Sequence, residues 1–477
     1  MSKADCGSSD MPFLRSELAL EGRHTLDEFF EWYRERLASG TFQVRRVPFA
    51  ELDKWAFRGD PLRLSHDSGK FFSVEGVEVT TSFGAVPRWE QPIINQPEIG
   101  ILGILTKEFD GVLHFLMQAK MEPGNINTLQ ISPTVQATKS NYTQVHKGNV
   151  PTYLEYFVGS GNTRILVDQL QSEQGARFLA KRNRNMIIET REDVEPHPDF
   201  IWLTLGQIKK ILAHDNIMNM DARTVLSCVP YFTDRDIYCY DSVERHVLEE
   251  INGYSRKLIE SMSRQPELTD FDRIISWLTT LKCGVEMSVR RKPVDRLEGW
   301  RLTGDSLAHE SGRYFSVIGV EVRAGNREVI SWSQPLLEHF GVGLCGFLTQ
   351  MQDGVLQFLV SARVEPGNRD IVEFGPTVAR SGVPDGVAPA PVPLAEYFSA
   401  GEDVEVVFDA VHSEEGGRFY HFRNRYMVVE AKPGVDVDVP DGCMWMTLAQ
   451  ISRLIKFSLF NVEARNLFAC LDLNMRT

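Results

Sequence analysis

The sequence has no Cys-x-x-Cys pair. Its seven cysteines are scattered and odd in number, so neither a disulfide framework nor a zinc site is indicated, and a reducing cytoplasm is the expected compartment. No apolar run is long enough to span a bilayer, and the N-terminus lacks the apolar core of a signal peptide, so no membrane is expected as a partner. Basic residues are in deficit: 51 Lys+Arg stand against 65 Asp+Glu, a net charge of −14. Nucleic acid is therefore not an expected partner, because a polyanion needs a basic face, although a few arginines suffice for one small anionic ligand. There is no HExxH, no Walker A loop and no His/Asp cluster with metal-ligand spacing, so no metal is expected. Gly341, Gly343 and Gly346 fit GxGxxG, yet the chain runs on as strand and turn instead of opening a helix, which argues against a dinucleotide. What remains is an ordinary globular composition, 43% hydrophobic and 24% charged over 477 residues, enough for several domains at about 150 residues each.

The chain is written twice. HDSGKFFSVEGVEV from His66 recurs as HESGRYFSVIGVEV from His309, and DGVLHFLMQAKMEPGN from Asp110 recurs as DGVLQFLVSARVEPGN from Asp353. SEQGARFLAKRNRNMIIE from Ser172 recurs as SEEGGRFYHFRNRYMVVE from Ser413, with the spacing shortened by two residues. So many co-linear matches mean duplication of a whole domain. Each copy opens with a helix: Thr25 and Glu28 form a capping box ahead of Phe30, Tyr33 and Leu37, answered in the second copy by Thr269, Asp272, Ile274, Trp277 and Leu281. A mainly antiparallel sheet follows, and LGQIKKIL and LAQISRLI close the copies as helices. The fold class is α+β, twice, with units at 1–235 and 267–477 and an amphipathic connector at 236–266 that packs on either copy or on another subunit.

One face concentrates polar chemistry. Along the strand from Asp110, Leu113, Phe115, Met117, Ala119 and Met121 alternate toward a core, leaving His114, Leu116, Gln118, Lys120 and Glu122 opposite. Pro123 and Gly124 suit a type II turn, after which Gln130, Ser132, Thr134, Gln136, Thr138 and Ser140 share the returning face. Such a face either meets water or lines a pocket; Gln, Thr, Ser and His are the side chains that make directional bonds in pockets. The second copy simplifies it, with Gln357, Ser361, Arg363 and Glu365 in place of His114, Gln118, Lys120 and Glu122, so the first copy is the expected seat of chemistry. Thr138, Lys139, Ser140, Asn141 and Tyr142 follow; with a two-residue deletion, Lys139 aligns with Arg380 and Ser140 with Ser381, a cation and hydroxyl suited to a diphosphate. The triplets Arg182-Asn183-Arg184 and Arg423-Asn424-Arg425 read as mid-strand, where the arginines bind a diphosphate or pair with acids such as Glu122 and Glu173. Trp55 and Trp300, like Trp89 and Trp332, either pack in the core or stack on a nucleobase.

The phrases HxSGKFFSVEGV, QPIINQPEIGILGIL, DGVLHFLMQAKMEPGN, SPTVQATKSNYTQVH, SEQG and KRNRNMI closely resemble the NDP-hexose 2,3-dehydratases, over nearly the whole chain. That resemblance implies a Nudix-like domain in each copy. It also implies removal of water across C2 and C3 of dTDP-4-keto-6-deoxyglucose, in deoxysugar biosynthesis for glycosylated natural products. The hydrolytic Nudix box GX5EX7REUXEEXGU is missing, which speaks against metal-dependent pyrophosphate cleavage. The substrate carries its own activating carbonyl, so no cofactor is expected. On this reading Glu122 or His114 is the base, Lys120 the enolate donor, and Tyr142 or the other of the first pair the acid. Lys139, Ser140, Arg182 and Arg184 take the diphosphate, Trp55 or Trp89 covers the thymine, and Gln118, Gln130, Thr138, Asn141, Ser172 and Asn183 complete the pocket. A second, degenerate nucleotide pocket is expected around Trp300, Arg380, Ser381, Arg423, Asn424 and Arg425. A homodimer and a downstream ketoreductase are the expected partners. Two other classes stay open: a Nudix-type nucleotide-sugar pyrophosphohydrolase and a non-catalytic nucleotide-sugar-binding protein.

Overall fold

A computed structural model describes residues 11–138, 151–159, 162–231, 251, 253–263, 271–325, 331–399 and 401–474. Each copy contributes a seven-stranded mixed sheet. In the first, the order is Thr163–Ser172, Arg182–Thr190, Gly100–Phe109, Val112–Met121, Phe200–Thr204, with Leu129–Ser132 added to Val112–Met121 and Val135–Ala137 added to Gly100–Phe109. Arg182–Thr190 runs parallel to Gly100–Phe109; the other pairs of this sheet are antiparallel. The second copy repeats this order from Val404–Ser413 to Val355–Val364.

The hairpin that carries the polar face forms, with Gln118 opposite Ser132 and Lys120 opposite Gln130. Leu113, Phe115, Met117, Ala119 and Met121 enter one core that continues through the second copy, including Phe347, Phe358 and Phe374. After Ser132 the chain leaves this partner at Pro133, and Val135–Ala137 pairs with Gly100–Phe109 instead. In the second copy Arg380 faces Leu344, as Ala137 faces Ile101. Strand register therefore places Arg380 at the position of Ala137. The equivalence of Lys139 with Arg380 and of Ser140 with Ser381 is overturned, because the length difference falls after this strand and not before it.

Two smaller sheets exchange strands. Phe42–Val47 of the first copy pairs with Phe315–Ala324 of the second, and Met287–Lys292 of the second pairs with Ser73–Thr81 of the first. The capping box at Thr25 and Glu28 forms, but the helix Leu26–Ser39 buries Phe29 and Tyr33, whereas Leu37 is exposed. The described part of the connector is the helix Gly253–Ser263, which packs on the second copy. Its Ser261 hydroxyl donates to the Leu356 carbonyl and accepts from the Leu448 amide, as Ser16 of the helix Pro12–Leu18 bridges Leu113 and Leu205 in the first copy. LGQIKKIL and LAQISRLI are helices, yet neither closes its copy: Met220–Leu226 and Val462–Ala469 follow them.

The copies meet backbone to backbone. The Gly124 amide donates to the Gly416 carbonyl at 2.8 Å, and the Gly124 carbonyl accepts from the His421 amide at 2.8 Å. Gly367 makes the same pair of bonds with Gly175 and Ala180. The turn at 122–125 is closed by the Asn125 amide on the Glu122 carbonyl, but Gly124 does not take the left-handed conformation that a type II turn requires. Its glycine is needed for close approach, since a Cβ there would overlap the carbonyl of Phe419. Gly124→Ala should therefore cost well over 2 kcal/mol, whereas Gly111→Ala, with open space around it but positive φ, should cost only about 1–2 kcal/mol. Denaturant unfolding of both variants checks this; equal losses would contradict it.

A buried acid cluster as candidate active site

Glu122 sits at the end of the hairpin strand, only 7% exposed. One of its oxygens is 3.0 Å from the Lys120 ammonium; the other, Oε2, is buried and has no hydrogen-bond partner among the described residues. A buried carboxylate with one oxygen on a lysine and the other without a partner among the described residues is a candidate for a catalytic role. Lys120 also donates to the Gln136 amide oxygen, and the Gln136 amide nitrogen donates to Asp221. Asp221, on the helix Met220–Leu226, is 5% exposed. Burial raises its carboxyl well above the ordinary range, and the neighbouring Glu415, Glu173 and Glu122 raise it further. Glu173, also buried, keeps one oxygen on the Asn183 amide at 2.7 Å and the other without a partner; burial and then Glu415 push it up to about 7.

Glu415 belongs to the second copy. A Cβ placed on Gly417 would lie 3.3 Å from Glu415 Oε1 and 3.9 Å from Glu122 Oε1, so the two carboxyls flank one glycine across the copy boundary. The boundary itself is stapled by two buried arginines: Arg223 donates to the Ser413 carbonyl at 2.5 Å, and Arg465 donates to the Ser172 carbonyl. A related cluster of Glu365, Glu414 and Glu463 stands on the other side, but its details differ. Glu414 is satisfied by Gln174, Asn424 and Tyr426, and Phe422 takes the place of Lys181.

Several anticipated residues lie elsewhere. His114 is 3% exposed with both ring nitrogens committed to the backbone: Nδ1–H donates to the Val112 carbonyl at 2.9 Å and Nε2 accepts from the Arg23 amide at 3.2 Å. Burial lowers its proton affinity, and it has no nitrogen left for catalysis. The N-terminal segment that covers it was invisible to strand alternation. Trp55 packs against His66 and Phe72, and Trp300 packs against His309 and Phe315 while donating to the Glu90 carbonyl. Both are core residues, not covers for a base. Trp89 donates to Gln91 and packs on Val77, Val79 and Ile93.

The arginine triplets open their strands instead of sitting mid-strand. Arg184 forks onto Asp168 at 2.7 and 2.6 Å, and Arg425 onto Asp409 at 2.7 and 2.5 Å. Arg182 approaches Asp370 of the second copy at 3.6 Å, and Asn424 reaches Glu414. Arg423 is half-buried, with Nε lacking a partner among the described residues. Ser172 donates to Glu373, and Gln130 reaches across to Ser413. Gln118 and Lys120 line a cavity of about 230 Å³ beside Arg36 and Asp199. Thr138 is half-buried at the end of the described strand, and Ser381 is exposed. Lys139, Ser140, Asn141 and Tyr142 lie outside the described residues.

A family model described as NDP-hexose 2,3-dehydratase matches residues 26–229 and 271–471, one stretch for each copy. The chain belongs to the NDP-hexose 2,3-dehydratase family. Curated relatives carry the name dTDP-4-dehydro-6-deoxy-alpha-D-glucopyranose 2,3-dehydratase. One from Saccharopolyspora spinosa is 45% identical, over 95% of this chain and 92% of its own; one from Streptomyces violaceoruber is 44% identical, over 93% and 96%. Among solved structures, the crystal structure of a C. elegans Ap4A hydrolase overlaps 25% of this chain and 96% of its own, at 16% identity and a TM-score of 0.17.

Within this dehydratase-family chain, the residues that sequence reasoning passed over are Asp221, Glu415 and Lys181. A signal for the first was present, since Asn219-x-Asp221-Ala222-Arg223 recurs as Asn461-x-Glu463-Ala464-Arg465. Among the described residues no three of His, Cys, Asp and Glu are grouped as metal ligands would be, and no helix is long and apolar enough to cross a membrane. The raised carboxyls have a thermodynamic signature. Glu173 and Glu373, both lifted from 4.5 to about 7, bind protons in the folded chain that the unfolded chain has released. Their stabilisation is complete below about pH 4.5 and is lost as pH rises through about 7, on the order of 3 kcal/mol for each carboxyl. Scanning calorimetry should find Tm falling from pH 5.5 to pH 8 and Glu173→Gln removing part of that slope; a Tm that rises over this range would contradict the assignment.

Proposed function

We propose that the chain is a hydro-lyase that removes water across C2 and C3 of dTDP-4-keto-6-deoxyglucose, with its chemistry in the first copy. The observation that carries this reading is Glu122: buried, held through one oxygen by Lys120, and at the other without a partner among the described residues. Family membership and the names of the relatives support the substrate. The C4 ketone acidifies the hydrogen at C3. Glu122 Oε2 takes that proton, and the electron pair moves into the C3–C4 bond as charge develops on the C4 oxygen. The Lys120 ammonium donates to that oxygen, stabilising the enolate in a site where few waters compete.

The enolate pair then forms the C2–C3 double bond as the C2–O bond breaks, and the leaving hydroxyl departs as water with a proton from a general acid. Tyr142 is retained as that acid. The enol so formed takes a proton at C2 and becomes a 3,4-diketone, which is reactive enough to require prompt reduction. A ketoreductase acting next, in a shared aqueous compartment, follows from that reactivity. Lys139, Ser140 and Arg182 are proposed to meet the diphosphate. Arg184 and Arg425, already forked onto aspartates, would have to leave those partners to do so.

Glu122→Gln should lower turnover by roughly two to four decades while calorimetric binding of dTDP stays intact. His114→Ala should lower Tm but leave kcat of the folded protein within a few-fold, because both ring nitrogens serve the backbone. The assay couples the protein to a ketoreductase and follows loss of the C2 oxygen. Near-full turnover by Glu122→Gln, or release of dTMP in place of water, would overturn the reading.

A further inference from the structure

The Lys120 ammonium is a point charge with three donors on a flexible four-carbon stem, so a site that uses it must first fix it. One donor is spent on Glu122 at 3.0 Å and one on the Gln136 amide oxygen. Gln136 could present either end of its amide to Lys120; presenting the NH2 end would set donors against donors. Asp221 removes that choice. As a carboxyl accepting from the Gln136 amide nitrogen, it turns the Gln136 oxygen toward Lys120. Asp221 is itself anchored to the hairpin that carries Lys120. The Ile131 amide donates to the Ile217 carbonyl at 2.7 Å, the Asn219 amide donates to the Ile131 carbonyl at 2.9 Å, and the Asn219 side chain caps the Ala222 amide.

The second copy supplies an internal control. The same anchoring recurs there: Phe374 bonds Leu459 and Asn461, and Asn461 caps Ala464. Yet Ala379 stands where Gln136 does, opposite Cys345 as Gln136 is opposite Leu102. Arg363, in place of Lys120, turns to the Pro376 and Thr377 carbonyls, and Glu463, in place of Asp221, keeps one oxygen without a partner among the described residues. The scaffold is shared by both copies, whereas the chain of side-chain bonds exists in the first alone.

We infer that Gln136 and Asp221 are positioning residues that hold the Lys120 ammonium against Glu122 with its third donor directed at the substrate. This rests on the dehydratase reading for the role of Lys120, and it adds the two residues that make the ammonium usable. Asp221 is faced by Glu122, Glu173, Glu415 and Lys120, so its charge state is set by both copies.

Two substitutions separate the parts. Gln136→Ala copies the second copy's Ala379, which that strand already accommodates; Asp221→Ala removes the acceptor of the Gln136 amide nitrogen and so leaves the amide free to turn over. Each should lower kcat roughly 10- to 100-fold and leave the dTDP Kd within about twofold. A readout independent of turnover is the side-chain 15N resonance of Lys120, assigned by its loss in Lys120→Arg. It should be visible and sharp in the unaltered protein, and shifted or broadened beyond detection in Gln136→Ala and in Asp221→Ala. An unmoved Lys120 resonance, or kcat retained within about twofold in both variants, would overturn the inference. Failure of the unaltered protein to exchange the C3 hydrogen would sink the reaction instead, and the Lys120 resonance would still decide the relay.

Discussion

Everything in this molecule turns on two glycine-to-glycine contacts across a copy boundary. Because Gly124 meets Gly416 and Gly367 meets Gly175 with no side chain between them, each Glu-Pro-Gly-Asn turn is pressed against the Ser-Glu-x-Gly loop of the other copy. Carboxyls at the ends of those turns and loops are thereby carried out of water together. Taking several acids out of water is costly unless cations and donors accompany them, and the chain supplies Lys120, Arg223 and Arg465 at the same boundary, with Lys181 acting on both Glu173 and Glu415. Duplication with exchanged strands makes the boundary obligatory, since Phe42–Val47 and Met287–Lys292 each complete a sheet of the other copy.

From near-symmetry comes asymmetry of chemistry. The two clusters share a backbone scaffold, but the second has its glutamate bonded three ways at Glu414, an alanine at 379 and a phenylalanine at 422. Oxygens without a partner among the described residues occur in both clusters, at Glu122 and Glu173 and at Glu365 and Glu463, but only in the first do lysines, Lys120 and Lys181, stand beside them. On the proposed mechanism the first copy carries the chemistry and draws one acid of its cluster, Glu415, from the second.

Much of this was legible in the residues. The duplication, the α+β class and the polar face that Lys120 and Glu122 share with Gln130 follow from repetition and from a period of two; Gln136 does not, because the chain changes partner at Pro133 and Val135 and Ala137 join Leu116 and Ile101 instead of Leu129 and Ile131. What escaped has physical causes. His114 shares the face by alternation, yet an N-terminal segment closes over its end of the strand, and alternation carries no information about what covers a face. The pairing of Lys139 with Arg380 came from matching charge, whereas strand register obeys backbone pairing. Asp221 lies far along the chain on a short helix, and Glu415 reaches its cluster only through a contact between copies, so no local pattern announces either.

In the proposed mechanism Glu122 and Lys120 face the sugar from one side of the hairpin. A crystal structure with a bound dTDP-4-keto sugar or a non-reacting analogue tests it most directly. C3 should then lie within reach of Glu122 Oε2 and the C4 oxygen within hydrogen-bond distance of Lys120. A sugar seated on another surface, with the Lys120–Glu122 pair untouched, would contradict it.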